Sequence, residues 1–303
     1  MNGATAVATK PQAAVPASHY MQCVGREIHY TEWGAGNSRT VIAWHGLART
    51  GRDMDELAAW LSTPERGFRV ICPDTIGRGL SQWSPDPERE YCMAFYCELA
   101  TALVDQLGLA QFDWVGTSMG GSIGLVAAAG PLRGRLTRLV LNDNGPELAA
   151  AAITRIRSYA GNPSAFATVS ELERYFRAVY KPYGLLTDVQ WRRLAESSTR
   201  RLPDGRVTPH YDPAMVQQFS CHPDDYLRWS EYDSLQIPVL CLRGERSELL
   251  LPETACEMAR RGPRARIETI AGCGHAPALN VPDQLDLVTD FLFDRSSPHK
   301  ATP

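Results

Sequence analysis

The segment Gly116-Thr117-Ser118-Met119-Gly120 constrains the fold of this chain most strongly, because it places a serine between two glycines. The stretch 111–115 before it is typical of a short buried strand, and the small residues from Met119 to Ala129 favour a helix packed close to that strand. A strand that turns directly into a helix needs small residues two positions before and after its central residue. The segment therefore predicts a sharp corner with Ser118 at its tip.

A serine on such a corner has its hydroxyl exposed, and the amide of Met119 is aimed at the same space. Ser118 is therefore a candidate nucleophile, and the Met119 amide is a candidate donor to an oxyanion. The alternative is a serine in an ordinary tight turn, so the hypothesis depends on partners elsewhere in the chain.

Two histidine segments supply such partners. His45-Gly46-Leu47 follows the apolar strand Thr40–Trp44, where a second oxyanion amide is expected, and His275 follows the strand that ends at Ile270. A serine nucleophile needs a base that changes charge near neutral pH, which histidine does. We predict that His275 is the general base.

Short β-rich runs alternate with helical runs along the chain. The predicted strands are Ile28–Trp33, Thr40–Trp44, Phe68–Pro73, Phe112–Thr117, Leu136–Asn142, Ile237–Arg243 and Ala265–Ile270, and the predicted helices are Asp53–Leu61, Met93–Leu107, Met119–Ala129, Glu253–Arg261 and Asp283–Phe293. This alternation predicts an α/β fold with a mostly parallel sheet covered by helices on both faces. Ligands bind such sheets beyond the carboxyl ends of the strands.

The strand spacing is interrupted once, by about ninety residues of helical and turn character between Asn142 and Ile237. A structureless loop of that length is implausible, so we predict an inserted helical cap, residues 146–235, on a core of residues 20–145 and 236–295. Its aromatic side chains should divide between the cap's own core and the substrate pocket. They are Tyr159, Phe166, Tyr175, Phe176, Tyr180, Tyr183 and Trp191, of which Tyr175 and Phe176 are expected to control chain-length preference.

Over nearly all of residues 20 to 295 the chain resembles the α/β-hydrolase fold enzymes. The resemblance is carried by His45-Gly46, by 74–81 (Asp-Thr-Ile-Gly-Arg-Gly-Leu-Ser), by 116–121 with the elbow serine, by 139–143, by 238–244, and by Gly274-His275-Ala276-Pro277. The Ser-Met-Gly-Gly elbow is similar to those of esterases, lactonases, carbon–carbon bond hydrolases and cofactor-free haloperoxidases. The resemblance implies the α/β-hydrolase fold, with triad residues in the chain order serine, acid, histidine.

The resemblance also implies roles around the serine. His45 and Gly46 would orient the oxyanion loop, so that the amides of Leu47 and Met119 are the working donors. Asp74 would brace loop amides rather than serve as the triad acid.

The triad acid is where the chain departs from the family pattern. The position after the strand Ile237–Arg243, where the family usually has aspartate, is Ser247, and the nearest acid in the loop is Glu248. Asp143, at the end of the strand Leu136–Asn142, is the alternative that some members of the fold use. We expect Glu248 to be the acid, because its longer side chain compensates for a displacement of one residue.

These residues predict a serine hydrolase that cleaves a carboxylic ester or lactone through an acyl-enzyme intermediate. One alternative is a carbon–carbon bond hydrolase of a ring-cleavage product, and another is a receptor of the same fold that binds a ligand without turnover. A serine at position 118 disfavours an epoxide hydrolase or dehalogenase with an aspartate nucleophile.

Composition excludes several other classes. A net charge of −3 and a pI near 6.2 give no basic footprint for nucleic acid, and no segment has the apolar length of a membrane span. No metal or organic cofactor is expected, because no cluster has metal-ligand spacing. Eight cysteines without a Cys-x-x-Cys pair suit a reducing cytoplasm. We expect a disordered leader at 1–19 and a flexible tail at 296–303, and leave a homodimer open.

Overall fold

Eight strands form one sheet in the computed structural model, which describes residues 15–294. In sheet order they are β1 (Ala17–Cys23), β2 (Arg26–Trp33), β4 (Phe68–Pro73), β3 (Arg39–Trp44), β5 (Phe112–Thr117), β6 (Leu136–Asn142), β9 (Val239–Gly244) and β10 (Arg266–Ile270). The pairs β1–β2 and β2–β4 are antiparallel, and every other neighbouring pair is parallel. A mostly parallel sheet is thereby confirmed.

Helices cover both faces of this sheet. In chain order, the α-helices of the described residues are α1 (Asp55–Leu61), α2 (Pro87–Glu90), α3 (Met93–Gln106), α4 (Met119–Ala129), α5 (Ala150–Ala160), α6 (Val169–Val179), α7 (Asp188–Ser197), α8 (Gln218–Cys221), α9 (Trp229–Ser234), α10 (Pro252–Met258) and α11 (Pro282–Phe293), and those on the sheet faces include α3 and α4 on one side and α1 and α11 on the other. Neighbouring residues of β5 face opposite sides, so Trp114 packs in the core under α3 and α4, whereas Val115 packs in the core under α1 and α11. Among the helices of residues 15–294, none has the length and apolarity needed to cross a membrane.

The parallel strands end at one edge of the sheet, and this edge carries the site. Because β3, β5, β6, β9 and β10 lie side by side in that order, the loops that follow them are neighbours in space. These loops begin with the segments that contain His45, Ser118, Asp143, Ser247 and His275.

The amino-terminal strand corrects one expectation. The predicted disordered leader extends to His19, but β1 begins at Ala17 and pairs with β2 from Ala17 opposite Glu32. The ladder satisfies the backbone groups of this polar stretch, which its Ala- and Pro-rich surroundings concealed. Residues 1–14, and the predicted tail at 296–303, lie outside the described residues.

The segment between β6 and β9 contains α5 to α9 and a two-stranded hairpin of β7 (Thr199–Arg201) and β8 (Val207–Pro209). A turn from Leu202 to Arg206 joins these two strands, with the Leu202 amide donating to the Arg206 carbonyl at 2.8 Å. Leu172, Phe176, Ala195 and Val207 form a small core of this segment's own. The division of the chain into core and cap at residues 146 and 235 stays a prediction.

Candidate active site

Ser118 lies at the corner between β5 and α4, with φ 51° and ψ −119°. The flanking glycines are required by close backbone contacts. A Cβ at Gly116 would lie 2.3 Å from the Gly120 carbonyl oxygen, and a Cβ at Gly120 would lie 2.3 Å from the carbonyl oxygen of Trp44. No side chain fits at either position, so the glycines allow the left-handed conformation that presents the serine hydroxyl at the sheet edge.

His275 connects the serine to a buried carboxylate. Its Nε2 is 2.9 Å from Ser118 Oγ, and its Nδ1 is 2.7 Å from Asp143 Oδ2. Because the ionised carboxylate only accepts hydrogen bonds, Nδ1 carries the proton and Nε2 is free to accept from the serine hydroxyl. The exposed fraction of the side chain falls from 24% at His275 to 0% at Asp143, so the histidine lies between the cavity and the protein interior.

Asp143 is held by groups from the neighbouring strand β9 and its loop. The Gly244 amide donates to Oδ1 at 2.7 Å, and the Ser247 hydroxyl donates to Oδ2 at 2.6 Å. The same hydroxyl accepts from the amides of Leu249 and Leu250 at 3.2 and 3.1 Å. A buried carboxylate needs such donors to offset its desolvation, and Asp143 has three of them, including His275.

Glu248 does not meet the expectation that it contacts the histidine. Its side chain is 65% exposed and forms an ion pair with Arg155 of α5. Ser247 bonds to Asp143, whereas the side chain of Glu248 reaches Arg155. The structure therefore places Asp143, the alternative acid, beside His275, and leaves Glu248 exposed and paired with Arg155.

The loop expected to carry an oxyanion amide is held by His45, as expected, and also by Arg78. His45 is fully buried, its Nδ1 donates to the Gly46 carbonyl at 2.6 Å, and its Nε2 accepts from the Thr75 amide at 2.9 Å. Desolvation lowers the pKa of His45 to about 4, so the ring is neutral. The buried Arg78 donates from Nε to the Leu47 carbonyl at 2.9 Å, which fixes the orientation of the peptide between Leu47 and Ala48.

The two candidate oxyanion amides belong to Leu47 and Met119, which lie close to Ser118. Met119 is the first residue of α4, so its N–H has no acceptor within the helix. Leu47 and Ser118 both line one cavity, and an added Cβ at Gly46 would lie 3.6 Å from Ser118 Cβ. Asp74 accepts from the amides of Gly51 at 2.6 Å and Leu80 at 2.9 Å, so it braces loops as expected.

Ser118 and His275 open into a cavity of about 1310 Å³ between the sheet edge and the segment above it. The aromatic side chains that line it are Tyr180, Tyr183 and Trp191. Tyr175 and Phe176, expected to set chain-length preference, do not line this cavity: Phe176 belongs to the small core above the sheet, and Tyr175 packs against it. The helical spacing of α6 turns both rings inward, toward α7 and β8.

A short segment, residues 181–184, is bonded to the histidine loop, and we call it the strap. The carbonyl of Pro182 accepts from the Gly274 amide at 2.7 Å, and the carbonyl of Tyr183 accepts from the Ala278 amide at 3.1 Å. These two bonds lie on either side of His275 in the chain. Backbone contacts between residues ninety positions apart leave no signal in the sequence, and the strap was not predicted.

Among residues 15–294, no group of three or more His, Cys, Asp and Glu side chains is arranged to hold a metal ion. The expected absence of a metal or cofactor stays a prediction.

A mostly parallel sheet with a strained serine elbow, followed in the chain by an acid and a histidine at the same edge, defines the class of α/β hydrolases. A sequence profile of the family described as alpha/beta hydrolase fold matches residues 39–280. The chain belongs to this family.

Individual relatives agree with this assignment. A 3-hydroxybutyrate-oligomer hydrolase of Cupriavidus necator is 35% identical over 294 residues, which cover 92% of this chain and 99% of that protein. The crystal structure of an α/β hydrolase from Novosphingobium aromaticivorans superposes with a TM-score of 0.80 at 32% identity, covering 91% of this chain and 98% of that one. A 2-hydroxymuconate semialdehyde hydrolase of Pseudomonas putida is 26% identical, covering 76% and 79% respectively.

Proposed function

We propose that this protein is a serine hydrolase that cleaves carboxylic esters through an acyl-enzyme intermediate. The observation that carries the proposal is the continuous hydrogen-bonded chain from Asp143 through His275 to Ser118. Each member lies at the distance and in the order that activates a serine hydroxyl.

In the first half-reaction, Ser118 Oγ attacks the ester carbonyl carbon while His275 Nε2 takes the hydroxyl proton. Asp143 holds the ring in the required tautomer and stabilises the imidazolium. The amides of Leu47 and Met119 donate to the oxyanion. When the carbon–oxygen bond breaks, His275 passes its proton to the departing alkoxide and an alcohol leaves.

In the second half-reaction, a water molecule gives a proton to His275 and attacks the acyl carbon. Collapse of this intermediate returns the proton to Ser118 Oγ and releases the carboxylic acid. The net change is one ester and one water converted to one alcohol and one acid.

For the substrate we propose short oligoesters of hydroxy acids. This rests on the similarity to the Cupriavidus necator protein, whose name states that it hydrolyses 3-hydroxybutyrate oligomers, over nearly the whole of both chains. A cavity of about 1310 Å³ is roomy enough for several such units. Simple esters and lactones use the same chemistry.

The second candidate is hydrolysis of a carbon–carbon bond in a ring-cleavage product, supported by the similarity to the Pseudomonas putida hydrolase at lower identity. A cytoplasmic location stays a prediction, and so does the oligomeric state.

The test uses purified protein and four substrates: p-nitrophenyl butyrate, a 3-hydroxybutyrate dimer, a butyrolactone and 2-hydroxymuconate semialdehyde. Turnover of the first two, with Ser118→Ala lowering kcat by roughly 10³-fold or more, supports the proposal. A fluorophosphonate should label Ser118 in the wild type only. Turnover of the semialdehyde alone favours the second candidate, and binding without turnover favours a receptor.

A further inference from the structure

The cavity wall beside Ser118 carries an excess of positive charge. It contains five basic side chains and one acidic one, namely Arg49, Arg155, Arg177, Lys181 and Arg246 against Glu248. The whole chain has a net charge of −3, so this excess opposes the overall balance. Clefts lined by one sign of charge attract ligands of the opposite sign.

Three of the five basic groups are neutralised by carboxylates. The pairs are Arg49 with Asp53, Arg155 with Glu248, and Arg177 with Glu173 and Asp188. A paired guanidinium offers little net charge to a ligand. The uncompensated charge of the wall therefore lies on Lys181 and Arg246.

These two side chains are exposed and weakly partnered. Within residues 15–294, no carboxylate lies within ion-pair distance of the Lys181 ammonium group. Arg246 is 74% exposed, and its Nε is 3.9 Å from Glu245 Oε2, at the outer limit for an ion pair. That carboxylate oxygen already accepts from the Gly272 amide at 2.9 Å.

The backbone places both cations beside the histidine loop. The Arg246 amide donates to the Cys273 carbonyl at 2.8 Å, and the Gly274 amide donates to the carbonyl of Pro182, the residue after Lys181, at 2.7 Å. Cys273 and Gly274 immediately precede His275. Lys181 on the strap and Arg246 after β9 thus both lie next to the loop that carries His275.

The reaction indicates which part of the substrate lies near Lys181 and Arg246. His275 protonates the departing alkoxide, so the alcohol part of an ester lies on the histidine side of Ser118. We propose that Lys181 and Arg246 bind a carboxylate on the leaving alcohol, so that the preferred substrates are acyl esters of hydroxy acids, cleaved at the ester bond nearest the free acid end. This inference rests on the proposed ester hydrolysis, and it assigns the binding of the substrate's carboxylate to these two residues.

The experiment compares two substrates that differ only in that charge, 3-butyryloxybutyrate and its primary amide, with p-nitrophenyl butyrate as a check on the chemistry. Release of the hydroxy acid or hydroxy amide is measured by chromatography. The variants are Lys181→Gln, Arg246→Gln and the double variant. The matched control is Arg133→Gln, an exposed arginine before β6 at the opposite edge of the sheet.

The wild type should prefer the acid to the amide. The double variant should lower the ratio of kcat/KM for acid over amide by about tenfold, mainly through a higher KM for the acid, as expected for the loss of two solvent-exposed charge contacts. Added salt should reduce the wild-type preference, because the cations are exposed. Arg133→Gln should leave the ratio unchanged.

Equal rates on acid and amide in the wild type, or equal losses on both in the double variant, would overturn carboxylate recognition while ester hydrolysis stands. Failure to hydrolyse any of the three esters would instead overturn the proposed function. A double variant that does not fold is recognised by loss of p-nitrophenyl butyrate turnover, and the two single variants then decide the question.

Discussion

The hydroxyl of Ser247 donates a 2.6 Å hydrogen bond to Oδ2 of Asp143, the same oxygen that accepts from His275 Nδ1. Position 247 is where the resemblance to the family implies an acid, and its hydroxyl instead binds the carboxylate that follows the adjacent strand β6. The carboxylate beside His275 thus follows β6, and the loop after β9 contributes a hydroxyl that binds it.

The first prediction concerns the identity of the acid. Asp143→Asn should lower kcat on p-nitrophenyl butyrate by on the order of 10⁴-fold, the effect of the equivalent amide substitution in serine protease triads. Glu248→Gln should change kcat less than about threefold, because it removes an exposed ion pair. Circular dichroism controls for folding. The opposite ranking would restore Glu248 as the acid.

The second prediction is that a carboxylate at position 247 can partly replace that of Asp143. In Asp143→Asn/Ser247→Asp, a carboxylate at position 247 starts from a backbone whose side chain already reaches the oxygen bonded to His275. The double variant should recover at least about tenfold in kcat over Asp143→Asn alone. Asp143→Asn/Ser247→Asn, which adds the shape without the charge, is the control. Equal activity of both double variants would show that position 247 cannot reach the imidazole.

The third prediction separates the two sets of cap aromatics. Tyr175 and Tyr180 both pack against the small core of Leu172 and Phe176, but only Tyr180 also lines the cavity. Tyr180→Ala should change the ratio of kcat/KM for p-nitrophenyl octanoate over acetate, because the ring bounds the space for the substrate. Tyr175→Ala should lower the thermal midpoint and leave that ratio unaltered. A changed ratio in Tyr175→Ala would return that residue to the pocket wall.

The fourth prediction is a pH dependence of stability from His45. Its pKa is lowered from 6.5 to about 4, so between these values the unfolded chain takes up a proton that the native ring does not. This contribution to the free energy of unfolding should therefore fall by about 3 kcal/mol as pH drops from about 6.5 to about 4, with no further loss below.

Two measurements check this predicted effect of His45 on stability. Urea unfolding of the wild type and His45→Asn should show a steeper loss of stability with falling pH in the wild type. The His45 ring resonances should keep the chemical shifts of a neutral imidazole at about pH 5. Titration of those resonances near the ordinary histidine pKa would contradict the prediction.

Much of the sheet could be predicted from the sequence, because apolar runs bounded by turns mark buried parallel strands. The predicted bounds of Phe68–Pro73 and Met119–Ala129 match β4 and α4. The strands that were missed gave weaker patterns. The edge strand β1 is largely exposed, and β7 and β8 are three residues each, too short to show alternation.

The sequence predicts those site residues whose location follows from the order of the strands along the chain. Ser118 and His275 each follow a parallel strand, so the fold brings them to one edge. The acid was not predictable in this way, because Asp143 and Glu248 follow neighbouring strands and only the direction of each side chain separates them. Ser247 bonds to Asp143, whereas Glu248 pairs with Arg155, and the sequence of this turn-rich loop does not show which of the two side chains faces the histidine.

The strap has a consequence for the design of chimeric enzymes. The segment between β6 and β9 supplies, from Pro182 and Tyr183, two carbonyl groups that hold the loop carrying His275. A chimera that received this segment from a relative would exchange the carbonyl groups that hold the His275 loop. It would exchange the side chains that line the cavity at the same time. Loss of turnover in such a hybrid would thus not prove a mismatch with the substrate. Hybrids that keep residues 181–184 native while exchanging α5 and α7 would retain these two bonds, and can test selectivity on its own.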